Sequence, residues 1–395
     1  ANVQEIINIT ENDAEKTNMN AIAKIWKVFL FSRITDLWGD IPYFNALKGN
    51  SDLIYSPDYN LQENIYTDLL FTLKNTSESL STDLESFQAS SDLIYQGDVQ
   101  KWKAFANSLR LRLAIRIKNA NPTLYQSELL DLANVELIQS NDDNALFPFN
   151  SVVKNHLFEA HFRGEAVVQN NPSQFFVDLL KSRNDPRIAV MLEKAPLSII
   201  PIYEEYKGVP NLMYNNDPIW NEFDDDWGDI SKIGSWYLRN ETPGVIMNYS
   251  EVCFLKAEAS LDGFWTGDAK TYLDEGIRAH VTFIAAYGEN EDVIDVAELD
   301  TYLNNITVVD LEEIITQKYI LFAFENGYEA YNDFRRTGFP RLEKYDGSEI
   351  DKSIFPYRLI YPTSEITLNR ENYMKAIENL GGEDSSYKKV WWNEN

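Results

Sequence analysis

Residues 97–122 read GDVQKWKAFANSLRLRLAIRIKNANP. Trp102, Phe105, Ala106, Leu109, Leu113 and Ile117 recur at steps of three and four, the spacing of one face of an α-helix. Gly97-Asp98 stands where an N-cap belongs, and Asn121-Pro122 where the helix must stop. The next run, TLYQSELLDLANVELIQ, has the same period and predicts a second helix antiparallel to the first. Residues 61–87 predict a helix that pairs with one over 17–37.

The same reading holds near the other end of the chain. YSEVCFLKAEASLDG is a short helix closed by Gly263. DAKTYLDEGIRAHVTFIAAYG runs from an Asp268 cap to Gly288. LEEIITQKYILFAFENG is a helix ended by Gly327. TSEITLNRENYMKAIENLGG is one helix capped by Thr363 or Ser364 and stopped by Gly381-Gly382. Strand-like alternation is scarce. The expected fold is all-α: about four helix pairs stacked as an α-solenoid, although no period of about 34 residues stands out in the letters.

The 395 residues are read as a single domain (1–395), with scaffold in 17–139 and 246–380. Between them, 140–245 carries Pro, Asn, Asp, Gly and aromatics with little sustained period. This predicts a loop-rich, mostly irregular insertion, where ligand sites often lie.

Composition narrows the function. With 35 basic and 62 acidic side chains the net charge is −27, a field that repels nucleic acid and anionic headgroups. No apolar run approaches the roughly 18 residues of a membrane span. The opening ANVQEIINIT has no basic segment followed by an apolar one. The chain is therefore expected to be cytoplasmic or to begin after a leader. The single cysteine, Cys253, sits in an apolar run and reads as a small core residue.

Catalytic motifs are missing. Three histidines, two of them (His156 and His161) five apart and off one helical face, do not make a zinc site. GxSxG, the P-loop and a strand-framed GxGxxG are absent. The run Asp224-Asp225-Asp226-Trp227-Gly228-Asp229 lacks EF-hand spacing and reads as a solvated turn. No cofactor is expected, and structural calcium is not readable. Arg110, Arg112 and Arg116, Arg335-Arg336 and Asp185-Pro186-Arg187 read as internal ion pairs in so acidic a chain.

The middle aromatics carry the ligand hypothesis. Tyr206, Tyr214, Trp220, Trp227 and Trp236 fall in loop-like sequence beside Asn215, Asn216 and Asp217. Flat rings cover the apolar faces of sugars, and Asn or Asp takes the hydroxyls. These eight residues are the candidate ligand contacts.

Several runs, taken in order, resemble the SusD/RagB-like family of nutrient-binding outer-membrane lipoproteins of Bacteroidetes. They are LWGDIPY (37–43), GDVQKWKAFANSLRLRLAIRI (97–117), NDPRI (184–188), YSEVCFLKAEASLDG (249–263), GIRAH (276–280), ITQKYILFAFENGYEAYNDFRRTGFPRL (315–342), YPTSEITLNRENYMKAI (361–377) and VWWN (390–393). The resemblance implies an all-α, tetratricopeptide-like scaffold of four helix pairs with a more variable, loop-rich region packed against it. It further implies a non-enzymatic protein on the extracellular face of the outer membrane, lipid-anchored through an N-terminal cysteine absent here. Its implied partners are an oligosaccharide ligand and a SusC-like TonB-dependent transporter. Peptide or other nutrient binding is the alternative, and a glycosidase ranks last. The family's binding residues do not transfer by motif, because the matching runs are scaffold. In LWGDIPY, Gly39 fits a helix C′ position and Pro42 the break beyond it, with Trp38 and Tyr43 expected to clamp the first helix to the next segment of chain.

Overall fold

A computed structural model describes residues 2–162, 171–196, 205–211, 230–287, 294–343, 348, 350–351 and 355–393. The helices are α1 (Asn2–Thr10), α2 (Thr17–Trp38), α3 (Gln62–Ser79), α4 (Val99–Arg116), α5 (Pro122–Leu132), α6 (His156–Phe162), α7 (Gln174–Ser182), α8 (Ile188–Met191), α9 (Tyr249–Leu261), α10 (Ala269–Tyr287), α11 (Val296–Asn305), α12 (Leu311–Phe322), α13 (Gly327–Thr337), α14 (Thr363–Leu368) and α15 (Arg370–Asn379). Short antiparallel pairs join β1 (Ile41–Pro42) to β2 (Tyr59–Asn60), β3 (Ala145–Phe147) to β6 (Gly244–Met247), and β4 (Leu192–Glu193) to β5 (Lys232–Ile233). The chain is all-α in class, as its sequence periodicity predicts. Helices adjacent in sequence pack on each other: α2 on α3, α4 on α5, α9 on α10, α12 on α13.

Asp98 caps α4 by accepting from the Gln100 and Lys101 amides at 3.0 and 3.2 Å. Asn121 does more than stop α4. Its side chain accepts from the Leu124 amide and opens α5, with Pro122 at the first helical position. Several expected boundaries move. The helix read over 61–87 ends at Ser79, and the one read over 123–139 ends at Leu132. Gly327 begins α13 instead of ending α12, because the chain leaves the helix at Phe322 and Phe324 turns it with φ +64. TSEITLNRENYMKAIENLGG is two helices: Asn369 donates from its side chain to the Pro57 carbonyl and breaks the backbone at φ −139. Pro362 stands at the cap position of α14, with Thr363 inside the helix.

The arginines tie the helices together through the core. Arg112 grips Glu251 of α9 with two bonds of 2.6 and 2.7 Å. Arg116 bridges Asp36 of α2, at 2.6 Å, and Glu329 of α13. Asp36 also accepts from Tyr66 of α3 and from Trp392 Nε1 at 2.9 Å. One carboxylate thus joins three helices and the C-terminal segment. Burial would raise the Glu329 carboxyl, but Arg116 and Arg112 outweigh it and hold it at about 2. Arg336 holds Glu258 at 2.6 and 2.9 Å.

LWGDIPY is a clasp. Gly39 ends α2 at φ +79, a conformation that favours glycine. Its amide donates to the Thr35 carbonyl, and Trp38 Nε1 to the Ile360 carbonyl at 2.9 Å. The buried Tyr43 donates to Asp68 at 2.6 Å.

Candidate functional site

Inside the 140–245 region, Ser173 caps α7 by accepting from the Phe176 amide. The helix ends where Asn184 takes a left-handed φ of +50 and the Asp185 amide returns to the Leu180 carbonyl at 3.0 Å. Asp185 is buried and accepts from the Arg187 amide, Nε and Nη2, the last at 2.5 Å. Arg187, also fully buried, donates to Gln317 Oε1 at 2.6 Å and lies 3.2 Å from His280 Nδ1. Gln317 Nε2 donates to the Tyr302 hydroxyl at 2.8 Å. The Asn-Asp-Pro-Arg turn is thereby bolted to α10, α11 and α12.

Above this floor lies a cavity of about 800 Å³, between the end of α7 and α11. From α11 it takes Glu298, Thr301, Tyr302 and Asn305, residues that share a helical face. Glu205 and Tyr206 form its rim, on a segment tied down by Ala195 to Glu205 and Ser231 to Lys207 backbone bonds, both 2.9 Å. The half-buried Tyr206 ring lines the cavity, and Lys181 Nζ donates to the Tyr206 carbonyl at 3.2 Å. Burial raises the Tyr206 phenol above its ordinary value, so it is a neutral donor at physiological pH. Among the described residues, the side chains of Asn184, Glu298 and Asn305 have no hydrogen-bond partner. The cavity therefore offers one aromatic ring, two free amides and a free carboxylate, which suits a polyhydroxylated ring with an apolar face.

A second concavity, about 370 Å³, has a different character. Tyr319, Phe324, Tyr331, Phe334 and Phe355 line it with few polar groups. Among the described residues no cluster of His, Cys, Asp and Glu could hold a metal.

Of the sequence-predicted contacts, Tyr206 and Trp236 lie within the described residues. Trp236 is 3% exposed and packs on Tyr237 and Phe283, with ring centroids 4.1 and 6.4 Å apart. Its faces are in the core and present no platform. Tyr214, Asn215, Asn216, Asp217, Trp220 and Trp227 lie outside the described residues. Asn184, Glu298 and Asn305 were not anticipated. The available signals were the Asn-Asp-Pro-Arg turn and the Asp295-capped helical face of VAELDTYLNN, whose cap accepts from the Ala297 amide.

His280 supplies a pH test of the floor. Its Nδ1 faces an always-protonated arginine and so accepts, leaving Nε2–H buried without a partner among the described residues. Burial first, and then Arg187, push its pKa well below the ordinary value. The unfolded chain takes up that proton near pH 6.5, so stability is complete above that pH and lost as pH falls below it. Denaturant titrations from pH 7 to 5 are expected to show an extra slope of up to about 1.4 kcal/mol per pH unit. The slope is absent in His280→Gln. An equal slope in both proteins would contradict this origin.

The SusD-like family model described as "Starch-binding associating with outer membrane" matches residues 1–362. Among solved structures, a chitin-binding protein is 32% identical with a TM-score of 0.87, over 100% of this chain and 85% of its own. A SusD homologue from Bacteroides uniformis is 30% identical (TM-score 0.79, 100% of this chain, 85% of its own). A chitin-binding SusD homologue from Flavobacterium johnsoniae is 26% identical (TM-score 0.80, 100% of this chain, 84% of its own). No curated protein matches the chain. Among the described residues no helix is long and apolar enough to cross a membrane.

Proposed function

Since the chain belongs to the SusD-like family, described as starch-binding and associated with the outer membrane, we propose that it is a non-catalytic glycan-capture protein. It takes oligosaccharides at the cell surface and passes them to a SusC-like TonB-dependent transporter. It is held on the extracellular face of the outer membrane by an N-terminal lipid. The family match over residues 1–362 carries this reading. The two relatives described as chitin-binding make N-acetylglucosamine oligomers the first ligands to test.

We place the ligand in the Tyr206 cavity. A sugar ring lies against Tyr206, while Asn184, Asn305 and Glu298 take its hydroxyl and amide groups. The outer members of the predicted set, Tyr214, Asn215, Asn216, Asp217, Trp220 and Trp227, remain candidates for further subsites. Peptide capture is the second reading. The cleft lined by Tyr319, Tyr331 and Phe355 favours it, because apolar side chains fit there better than sugars do.

Calorimetric titration with N-acetylglucosamine hexamers, maltohexaose and mixed peptides separates the two. The expected result is saturable binding of a glycan with no new reducing ends after prolonged incubation. Peptide binding without glycan binding would overturn the first reading, and sugar release would overturn the non-catalytic role.

A further inference from the structure

A groove of about 730 Å³ runs between α1, α2 and α3, on the helical scaffold. Lys24 and Lys27, one turn apart on α2, line it. Among the described residues neither ammonium has a hydrogen bond or ion pair, in a chain of net charge −27. Lys27 is partly buried, with Nζ 5.8 Å from the Phe31 ring centroid and 6.0 Å from that of Tyr43. Asp68 is the carboxylate that acts on it, and Asp68 already accepts the Tyr43 hydroxyl at 2.6 Å. Burial first, then Lys48 and Lys24 against the pull of Asp68, lower the Lys27 pKa. The other acids of the groove are Glu11, exposed at its edge, and Asp13, paired with Lys16 at 2.7 Å. Asp68 pulls on the Lys27 ammonium without pairing with it, so a partly buried ammonium is left without a direct counter-ion, and an anion entering the groove lowers that cost. Phe71, 62% exposed, borders the same space and offers an aromatic face.

We propose that this groove is a second binding site, for a carboxylate-bearing sugar. A uronic-acid carboxylate meets Lys27, with Lys24 beside it, and the apolar face of the ring covers Phe71. The site is separate from the Tyr206 cavity and does not depend on that assignment.

The test is calorimetry with the galacturonic acid trimer and, separately, with succinate and the N-acetylglucosamine hexamer, on the wild-type chain and Lys27→Met. The trimer is expected to bind the wild type and to bind Lys27→Met at least tenfold more weakly, with hexamer binding the same in both proteins. Succinate is expected to bind more weakly than the trimer. Equal affinity for succinate, with the same loss in Lys27→Met, would overturn the sugar assignment in favour of a free carboxylate. Trimer binding untouched by Lys27→Met, or no binding of either acid, would overturn the site. A second readout needs no variant. The Lys27 ammonium, followed by NMR, is expected to titrate at higher pH once the trimer is bound, and an unmoved titration would contradict the proposal.

Discussion

Arg116→Met is expected to cost about 3–5 kcal/mol of stability, read as a lowered denaturant midpoint. The arginine is buried between Asp36 and Glu329, and its removal strips Asp36 of its ion pair and leaves Glu329 with only the longer contact to Arg112, at 3.7 Å. Its planar fork joins carboxylates from α2 and α13, and its guanidinium also lies 5.6 Å from the Trp392 ring centroid. Methionine fills comparable space but supplies no charge. The loss therefore comes from the stranded acids and not from an empty cavity. A triple variant carrying Asp36→Asn and Glu329→Gln beside Arg116→Met is expected to recover part of it, because a neutral set costs less to bury than two anions that have lost their shared cation. A loss below about 1 kcal/mol in the single variant would mean that the network is not what joins the helices.

Tyr206→Ala is expected to weaken glycan binding by about tenfold to a hundredfold, the loss of one stacked ring at about 1–3 kcal/mol. Melting should fall much less than in Trp236→Ala, since Tyr206 is only partly buried at the edge of the cluster that Trp236 fills, on a segment held by backbone bonds from Ala195 and Ser231. Trp236→Ala should behave in the opposite way. Its indole is in the core against Phe283, so it destabilises the fold by about 3–5 kcal/mol. The pair of variants distinguishes a ring that faces ligand from one that holds the insertion to α10.

The helical period made the scaffold legible, although α4 is buried on every side from Ala104 to Arg116 and not along one face alone. The ion pairs of Arg110, Arg112 and Arg116 were also legible, since in so acidic a chain three arginines on one helix needed internal partners; Arg335, read the same way, instead donates to the Asp36 and Tyr357 carbonyls. Which acid each one meets was not, since Arg116 reaches Glu329 across more than half the chain. Helix ends failed where side chains competed with the backbone, at Asn369, or where a non-glycine residue took a left-handed turn, at Phe324. In the candidate site, aromatic richness pointed to the region but could not separate Tyr206 from Trp236. Both stand in similar loop-like sequence, and only packing against Phe283 tells them apart. Asn184 and Asn305 come together from segments more than a hundred residues apart, a juxtaposition that no local pattern records.

The most direct measurement is a crystal structure with an N-acetylglucosamine hexamer. A sugar ring is expected against Tyr206, within hydrogen-bond reach of Asn184 and Asn305. An empty cavity with the oligomer bound along Tyr319, Tyr331 and Phe355 would contradict it.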